Sequence, residues 1–359
     1  MRFEDSETQK LLRTTVRSFL ADRFPWERLY AIENAEGDLA PEDLKSFADL
    51  GWLGLLAPAT EGGAAISLTE AAVVIDEFGY AGAPSSVAVS NIVADALGRL
   101  SDTEARNHLG RLTRGKARYT IGGGNLALKG GELRGSLQLV PHGNTADHVL
   151  AALDIDGELG IGLVRADASR AAPLLALDHR SYADLDFEGA TAADVLVLAT
   201  GDEARATNER WQNLIAAFSV VEMAGLLARI KDLTGEYISN RVQFGQPIAK
   251  FQAARHHAAD LLTAAETTRW AAYHALWELD RDPQETTGIW LARHWAIRAA
   301  RQAVELTHLL HGGVGVGMEY PLHLLTQSLA SLAVRGGTLD DATARTLASL
   351  GFAPGAGSA

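Results

Sequence analysis

Apolar residues recur at helical spacing in the first third of the chain. Residues 7–24 carry five of them at positions typical of one helix: Leu11, Leu12, Val16, Phe19 and Leu20. Residues 41–56 begin with proline followed by two acidic residues, a helix-start signal. Ser67 and Glu70 have the spacing of a capping box, and the segment after them ends at a glycine. We therefore predict helices to about residue 113.

Short β-rich runs replace the helical pattern between Ala117 and about Thr200. Glycine and aspartate turns separate these runs, and no long helical period lies between them. The clearest runs read ARYTIGG, ELRGSLQLVP, HVLAALDID and LGIGLVRA. This pattern favours an antiparallel β domain over the strand–helix alternation of a Rossmann fold.

Helical spacing returns at about Ala206 and continues to Leu350. Apolar or small residues step by three or four positions along one stripe: Leu214, Phe218, Val221, Gly225 and Ala228. The layout predicts the α+β class. We expect an N-terminal α-helical domain at 1–116, a middle antiparallel β domain at 117–203 and a C-terminal α-helical bundle at 204–359.

The formal net charge of −13 narrows the choice of partners. Nucleic acids and anionic membranes are bound through clustered cationic surfaces, so we expect neither as a partner. The absence of cysteine excludes disulfides, thiolate metal sites and cysteine nucleophiles, and it fits a reducing compartment. The N-terminus has no apolar signal core, and no run of about 18 apolar residues occurs. We predict a soluble cytoplasmic protein that does not enter a membrane.

Four glycines crowd residues 308–320, in the stretch HLLHGGVGVGMEY. A dinucleotide fingerprint counted from Gly313 requires a third glycine at the position of Met318. The preceding segment is helical, so a Rossmann loop fits neither the spacing nor the context. The cluster is either a turn that joins two helices or the same turn used to bring bare backbone close to a ligand. The pattern by itself leaves both possibilities open.

A second segment resembles the acyl-CoA dehydrogenase family. Residues 241–261, RVQFGQPIAKFQAARHHAADL, match the family's R-x-x-F-G-x-P-I-x-x-F-Q-x-x-x-H-x-x-A-D stretch. Residues 311–321 are similar to its later hGGxGxxxEYP stretch, and residues 50–79 look like its N-terminal helical signature. The family's order of helical domain, β domain and four-helix bundle agrees with the layout above. The resemblance covers nearly the whole chain.

The resemblance implies FAD as the cofactor, held between the subunits of a dimer or tetramer. In that arrangement the R-x-x-F-G turn, the glutamine after it and the glycine turn contact the diphosphate and adenosine end of a neighbouring subunit's flavin. The residues at these positions are Arg241, Phe244, Gln252, Gly312, Gly313 and Gly315. A guanidinium can pair with phosphate oxygens in a bidentate way, and bare backbone can pack against a dinucleotide. The family also implies an acyl-CoA substrate and an electron-transfer flavoprotein as electron acceptor.

The catalytic base of the family is absent from this chain. Family members remove the proton alpha to the thioester carbonyl with a glutamate that occupies one of two positions. Those positions hold Gly336 and Ile215 here, so we predict no catalytic residue. Glu222 is a weak candidate for a relocated base, because acids in its context pack helices in the family. We also predict no metal site, since the five nearby histidines share no ligand spacing: His256, His257, His308, His311 and His323.

The β domain departs from the family as well. It has no T-E-P-x-x-G-S-D loop, and segment 132–150 carries no tryptophan where the family has its K-x-W-I-T strand. This chain's own flavin-ring site therefore lacks the family's pattern, whereas the half that serves a neighbour is complete.

These departures resemble the degenerate subunit of heteromeric bacterial acyl-CoA dehydrogenases that act on bulky ring- or steroid-derived acyl-CoAs. The leading hypothesis is a non-catalytic β subunit that completes the FAD site of a catalytic paralogue in an α2β2 assembly. A second hypothesis is an active homotetramer with a relocated base. A third is a scaffold or acyl-CoA-binding protein without flavin.

Overall fold

Helices precede and follow a block of strands in the computed structural model, which describes residues 4–34, 39–84, 86–178 and 180–352. The α-helices are α1 (Glu7–Arg23), α2 (Trp26–Asn34), α3 (Pro41–Asp49), α4 (Leu68–Ala81), α5 (Ser86–Arg99), α6 (Thr103–Thr113), α7 (Gly201–Asn240), α8 (Gln252–Arg281), α9 (Thr287–His311), α10 (Leu322–Val334) and α11 (Leu339–Ser349). The β-strands are β1 (Tyr119–Lys129), β2 (Glu132–Pro141), β3 (His148–Ile155), β4 (Glu158–Arg165), β5 (Arg170–Leu175), β6 (Ser181–Asp186), β7 (Ala190–Thr191), β8 (Val195–Thr200), β9 (Val242–Gln243) and β10 (Gln246–Pro247). The order confirms the α+β class, with a helical N-terminal domain, a central sheet and a helical C-terminal domain.

Two compact units interleave along the sequence. The first contains the described residues of 1–30, 68–83 and 216–359, and the second contains those of 31–67 and 84–215. The first unit thus joins α1 and α4 to the C-terminal helices, while the second holds the eight-stranded sheet. The predicted domain boundaries at 116 and 203 follow the order of the elements, and they stay a prediction.

The sheet of the second unit has the strand order β5-β6-β2-β1-β3-β4-β8, with β7 paired to β2. Its neighbouring strands are antiparallel except β1 and β3, which run parallel and pair Tyr119 with His148. The predicted antiparallel pattern therefore holds for all neighbours but this pair. The turn at 142–147 is the reason, because β2 returns along one edge of β1 and the chain then crosses to pair with the other edge.

A single apolar cluster fills one face of this sheet. On β2 the buried positions are Leu133, Leu137 and Val140, and they are separated by exposed or half-buried residues. Partners from neighbouring strands and turns complete the cluster: Leu126, Val149, Leu153, Leu185 and Phe187. Buried positions that recur in this way are typical of a sheet that packs one face on a core, in agreement with the β-rich runs of the sequence.

Helices α4 and α7 contact each other backbone to backbone in the first unit, because two glycines leave no side chain between them. A Cβ at Gly225 would overlap the carbonyl oxygen of Asp76 and lie 2.6 Å from the nitrogen of Tyr80. A Cβ at Gly79 would overlap the carbonyl oxygen of Glu222. The one glycine in the stripe predicted on α7 is therefore required by this close approach.

Two acids beside this crossing, Asp76 and Glu77, are almost fully buried. Arg13 on α1 donates from Nη1 to both carboxylates, at 2.8 and 2.6 Å, and Arg17 donates from Nε to Glu77 at 2.6 Å. Tyr273 on α8 donates to Asp76 at 3.1 Å. Burial by itself would lower the pKa of Arg13, but the nearby charges, Asp76 first among them, raise it well above its ordinary value. Removing either arginine would take away one of the two counter-charges of the buried Glu77.

The first turn of α4 receives its acceptors from a distant helix. The backbone nitrogens of Leu68 and Thr69 donate to the two carboxylate oxygens of Asp280 on α8, at 2.9 and 3.2 Å. The first N–H groups of a helix have no carbonyl acceptor within it, and this carboxylate provides acceptors for two of them. A negative charge is also favourable at the positive end of a helix.

One helix of the described residues is long and apolar enough to cross a bilayer, namely α7. Most of its apolar stretch is buried inside the protein. A long buried helix of this kind is also found in the core of soluble proteins, so its length and composition are weak evidence for a membrane span.

Replacing Gly225 with alanine tests the helix crossing. We expect the free energy of unfolding to fall by about 2–4 kcal/mol, because the new methyl group forces α4 and α7 apart. Gly235 lies in the same helix, and a Cβ there would meet nothing within 4 Å. Gly235→Ala should therefore raise the free energy of unfolding by about 0.5–1 kcal/mol. Urea denaturation followed by circular dichroism measures both, and equal effects of the two substitutions would contradict the crossing.

Candidate cofactor-contact site

A tight hairpin follows the end of α7. Strands β9 and β10 pair Gln243 with Gln246, and the nitrogen of Ile248 donates to the carbonyl oxygen of Arg241 at 2.9 Å. The two turn residues, Phe244 and Gly245, have φ angles of 53° and 82°. Two successive residues in the left-handed region form a type I′ turn, for which Asn-Gly is the favoured pair. Phenylalanine at the first position is therefore an unusual choice for the backbone.

The side chain of Phe244 is almost entirely exposed, at 93% of its full accessible area. Its ring meets Phe251 edge-on with the centroids 6.3 Å apart. A left-handed conformation costs a residue with a Cβ roughly 1–2 kcal/mol, and leaving the ring in water forgoes roughly another 1.5–3 kcal/mol of burial. The folding of this unit gains little from Phe244, so the residue is presented outward. Arg241 at the base of the hairpin is exposed in the same way.

The three glycines of the second turn, at 312–316, differ in how far the fold requires them. Gly312 has φ 59° and ψ −140°, a conformation that only glycine adopts readily. Gly315 is buried, and a Cβ there would lie 2.9 Å from the Cβ of His311. Gly313 has neither constraint, because its φ is not in the left-handed region and a Cβ would meet nothing within 4 Å. Folding explains Gly312 and Gly315, and it leaves Gly313 free for contact with another molecule.

An aromatic cluster joins the two turns. His311 stacks on Tyr237 with the centroids 4.4 Å apart, and Tyr237 donates to the carbonyl oxygen of His311 at 3.3 Å. The Nδ1 atom of His311 lies 2.8 Å from the carbonyl oxygen of Thr307, so this nitrogen carries the proton. Nε2 is then the acceptor for the Tyr320 hydroxyl at 3.2 Å. Burial lowers the pKa of His311 and raises the pKa of Tyr320 to about 12, which keeps both groups neutral near pH 7.

A small apolar core lies beside the aromatic cluster. Ile238 near the end of α7, Ala254 near the start of α8 and Leu310 near the end of α9 pack together, with Ile248 and Phe251 against them. The structure thus brings together the hairpin, the first turn of α8 and the glycine turn, as the resemblance requires. These three segments carry all six residues predicted to contact the cofactor.

The start of α8 adds a positive helix end to this surface. Gln252 is the first residue of this 30-residue helix and is exposed, and Phe251 before it provides no side-chain cap. The first N–H groups of a helix attract oxyanions when no side chain satisfies them. Together with the guanidinium of Arg241, this end can bind a diphosphate. Contact of these residues with the FAD of a neighbouring subunit stays a prediction.

The positions expected for a catalytic glutamate carry no acid. Ile215 on α7 is half-buried, and Gly336 after α10 has φ 89°. Glu222, the candidate for a relocated base, is 1% exposed, and one of its carboxylate oxygens lies 3.3 Å from Nη2 of Arg335. This carboxylate is thus paired with a guanidinium and shielded from solvent.

A buried arginine that the sequence analysis missed fixes the chain around Gly336. Arg293 on α9 is fully buried and donates from Nη2 to the carbonyl oxygens of Ala333, Arg335 and Gly337, at 3.1, 2.7 and 2.9 Å. Burial and the nearby charge of Arg335 lower the pKa of Arg293 to about 10, so it remains a cation near pH 7. It caps the C-terminal carbonyls of α10. An arginine in the middle of the apolar face of α9 is the signal that could have revealed it.

Two of the histidines weighed as metal ligands in the sequence analysis form separate contacts with different partners. His308 lies 3.2 Å from the Thr326 hydroxyl, and His323 bonds through Nδ1 to the carbonyl oxygen of Tyr320 at 2.8 Å. Over the residues that the structure describes, no group of three or more histidine, aspartate and glutamate side chains is arranged to hold a metal ion. The absence of a metal stays a prediction.

Comparisons with known proteins agree on one family. The family models described as "Acyl-CoA dehydrogenase, N-terminal domain" and "Acyl-CoA dehydrogenase, C-terminal domain" match residues 6–116 and 209–348. The acyl-CoA dehydrogenase IpdE2 of Mycolicibacterium smegmatis is 27% identical over 89% of this chain and 91% of its own length. IpdE2 of Mycobacterium tuberculosis is 30% identical over 77% of this chain and 76% of its own length. A chain of the ChsE4-ChsE5 complex from Mycobacterium tuberculosis matches the structure with a TM-score of 0.88 and 24% identity, over 99% of this chain and 100% of its own, which establishes the fold alone.

Replacing Phe244 with asparagine separates folding from contact with another molecule. Because asparagine tolerates the left-handed conformation, we expect the free energy of unfolding of the isolated chain to stay unchanged or to rise by up to about 1 kcal/mol. Phe251 of the same turn packs on the apolar core, so Phe251→Ala should lower it by about 1.5–3 kcal/mol. Chemical denaturation of the two variants provides the comparison. A large loss of stability in Phe244→Asn would mean that the exposed ring serves the fold.

Proposed function

Because the chain belongs to the acyl-CoA dehydrogenase family, we propose that it is the non-catalytic β subunit of an FAD-dependent acyl-CoA dehydrogenase, in which it completes the FAD site of a catalytic paralogue in an α2β2 assembly. The family comprises FAD-dependent oxidoreductases that act on acyl-CoA. The proposal also includes an electron-transfer flavoprotein as electron acceptor and a cytoplasmic location.

One contrast carries this proposal. The surface that would serve a neighbour's flavin is complete and outward-facing, from the strained, 93% exposed Phe244 to the open backbone of Gly313. The positions that would serve catalysis in this chain hold Ile215 and Gly336. This chain keeps the cofactor-contact residues, although some of them are unfavourable for folding, and it lacks the catalytic glutamate. Such a chain is suited to completing another subunit's site.

The backbone at Gly336 is a further reason to exclude a base there. Gly336 and Gly337 have φ angles of 89° and 111°, which residues with a Cβ rarely adopt. Arg293 holds the carbonyl groups on either side of Gly336. The backbone at this position therefore suits glycine better than glutamate.

Each residue of the outward surface has a defined task in the proposed complex. The bound FAD would accept the hydride that leaves the acyl-CoA. Arg241 would bind its diphosphate oxygens in a bidentate way, and the uncapped start of α8 at Gln252 would add a favourable helix-end field. Gly313, supported by Gly312 and Gly315, would let the adenosine end approach the backbone, and Phe244 would cover it from water.

The relatives are consistent with a paralogous partner. The structural neighbour is described as a complex of two differently named chains, ChsE4 and ChsE5. Another neighbour, with a TM-score of 0.86, is described as the Tcur3481-Tcur3483 steroid ACAD. These descriptions concern those proteins, and they support for this chain an acyl-CoA of bulky, ring- or steroid-derived type as the substrate.

Co-purification with a glutamate-bearing paralogue tests the proposal. We expect this chain alone to bind no stoichiometric flavin, and the complex to be an α2β2 tetramer with one FAD for each catalytic subunit. Native mass spectrometry and the flavin absorbance give these numbers. Stoichiometric FAD and acyl-CoA oxidation by the chain alone would exclude the β-subunit role. A colourless complex would instead favour the scaffold or acyl-CoA-binding alternative.

The Arg241→Gln variant of that complex tests the contact with the cofactor. We expect the dissociation constant for FAD to rise roughly tenfold or more, because a charge-assisted bidentate contact contributes about 1.5–3 kcal/mol. Arg170 is an exposed arginine on β5 of the sheet, and Arg170→Gln removes the same charge without touching the turns. Equal FAD affinity in Arg241→Gln and in Arg170→Gln would argue against the assigned site.

Glu222→Gln in the same complex tests the alternative of a relocated base. We expect kcat to change less than about twofold, while the free energy of unfolding falls by about 1–3 kcal/mol because the buried ion pair with Arg335 is lost. A relocated base would instead abolish turnover while the flavin stays bound. Acyl-CoA oxidation measured at a temperature where both proteins are fully folded distinguishes the two outcomes.

A further inference from the structure

A pocket in the first unit lies apart from the cofactor-contact turns. We call it the α1–α2 pocket, because its walls come mainly from these helices and the residues between them, closed by α4 and α7. Its volume is about 280 Å³, enough for a molecule with one or two rings. Leu20, Phe24, Trp26 and Tyr80 provide its apolar and aromatic walls, and Arg229 lies at its side.

Arg229 is a half-buried cation held by rings and by no anion. Its guanidinium carbon lies 4.9 Å from the centroid of Trp26 and 5.3 Å from that of Tyr80. Over the described residues, it forms neither an ion pair nor a hydrogen bond, so its N–H donors face no protein acceptor. Cation–π contacts fix the orientation of a guanidinium and leave its edges available. A half-buried guanidinium in this state is ready to receive an oxyanion.

Two of the three acids around the pocket, Glu77 and Asp232, are paired with groups other than Arg229. Glu77 accepts from Arg17 at 2.6 and 2.8 Å and from Arg13 at 2.6 Å. Asp232 accepts from the Tyr80 hydroxyl at 2.8 Å and pairs with Lys231 at 3.3 Å. Glu27 also lines the pocket and is exposed to solvent. Arg229 is therefore the cation of this pocket whose charge the surrounding acids leave uncompensated over the described residues.

We propose that the α1–α2 pocket binds a small planar carboxylate, with its ring against the aromatic walls and its carboxylate on the guanidinium edge of Arg229. A single guanidinium presents two parallel donors, which match the two oxygens of a carboxylate. The apolar walls exclude water from the ring and favour a flat organic group. A doubly charged tetrahedral anion would bind less well, because Arg229 neutralises only one of its charges. The other charge would be repelled by Glu27 or Glu77. The site is independent of the proposed β-subunit role.

Isothermal titration of the full chain with benzoate tests this site, with benzamide as the neutral molecule of the same shape and sulfate as a tetrahedral anion. We expect benzoate to bind at one site per chain and at least tenfold more tightly than either of the other two. Absence of saturable benzoate binding would overturn the proposal. Equal binding of benzamide would show an apolar pocket only, and equal binding of sulfate would show a general anion site, so either result would also overturn it.

Substitution of Arg229 assigns the binding to the pocket. Arg229→Gln should weaken benzoate at least tenfold, and Arg229→Lys, which keeps the charge but loses the planar fork, should give an intermediate affinity. Arg281 is the matched control, because its guanidinium lies 4.7 Å over Trp277, is exposed and is outside the pocket. Arg281→Gln should leave the affinity unchanged. If circular dichroism shows that Arg229→Gln is unfolded, the lysine variant decides, and unchanged affinity in it would overturn the proposal.

Discussion

The contact between Gly79 and Gly225 constrains much of the first unit. Because α4 and α7 meet backbone to backbone, the residues next to the contact are buried away from water. Asp76 and Glu77 lie in this region, and their burial requires the arginines of α1 as counter-charges. Glu222 lies on the other side of the same contact, where its carboxylate pairs with Arg335. One crossing thus determines where several charges of the unit are buried.

The two exposed turns differ from this core in whether the fold requires their unusual residues. In the core each unusual residue has an internal reason, such as close approach for Gly225 or a cap for Arg293. At the turns, Phe244 is strained and exposed, and Gly313 is open, although nothing in the unit requires either feature. Strain that the fold does not need is typical of a site that acts on another molecule. This difference separates the residues that the fold requires from those that it does not require.

Local patterns predicted the elements well, because helical spacing and capping residues act over a few positions. The start of α3 at Pro41 and the start of α4 after Ser67 are examples. Features that depend on distant residues were not accessible in this way. The parallel pairing of β1 with β3, the capping of α4 by Asp280 and the grouping of α1 with the C-terminal helices all join segments far apart in the chain. Arg293 was missed because its acceptors are backbone carbonyls, which leave no trace in the sequence.

The interleaving of the first unit has a consequence for its synthesis. Gly79 leaves the ribosome more than a hundred residues before Gly225, a delay of roughly 7 to 30 s at about 5–20 residues per second. During that time Asp76 and Glu77 already have Arg13 and Arg17 within reach on the nascent chain, whereas the glycine face of α4 has nothing to pack on. The charged part of this core can form early in translation, and the contact between α4 and α7 must wait until α7 has been synthesised.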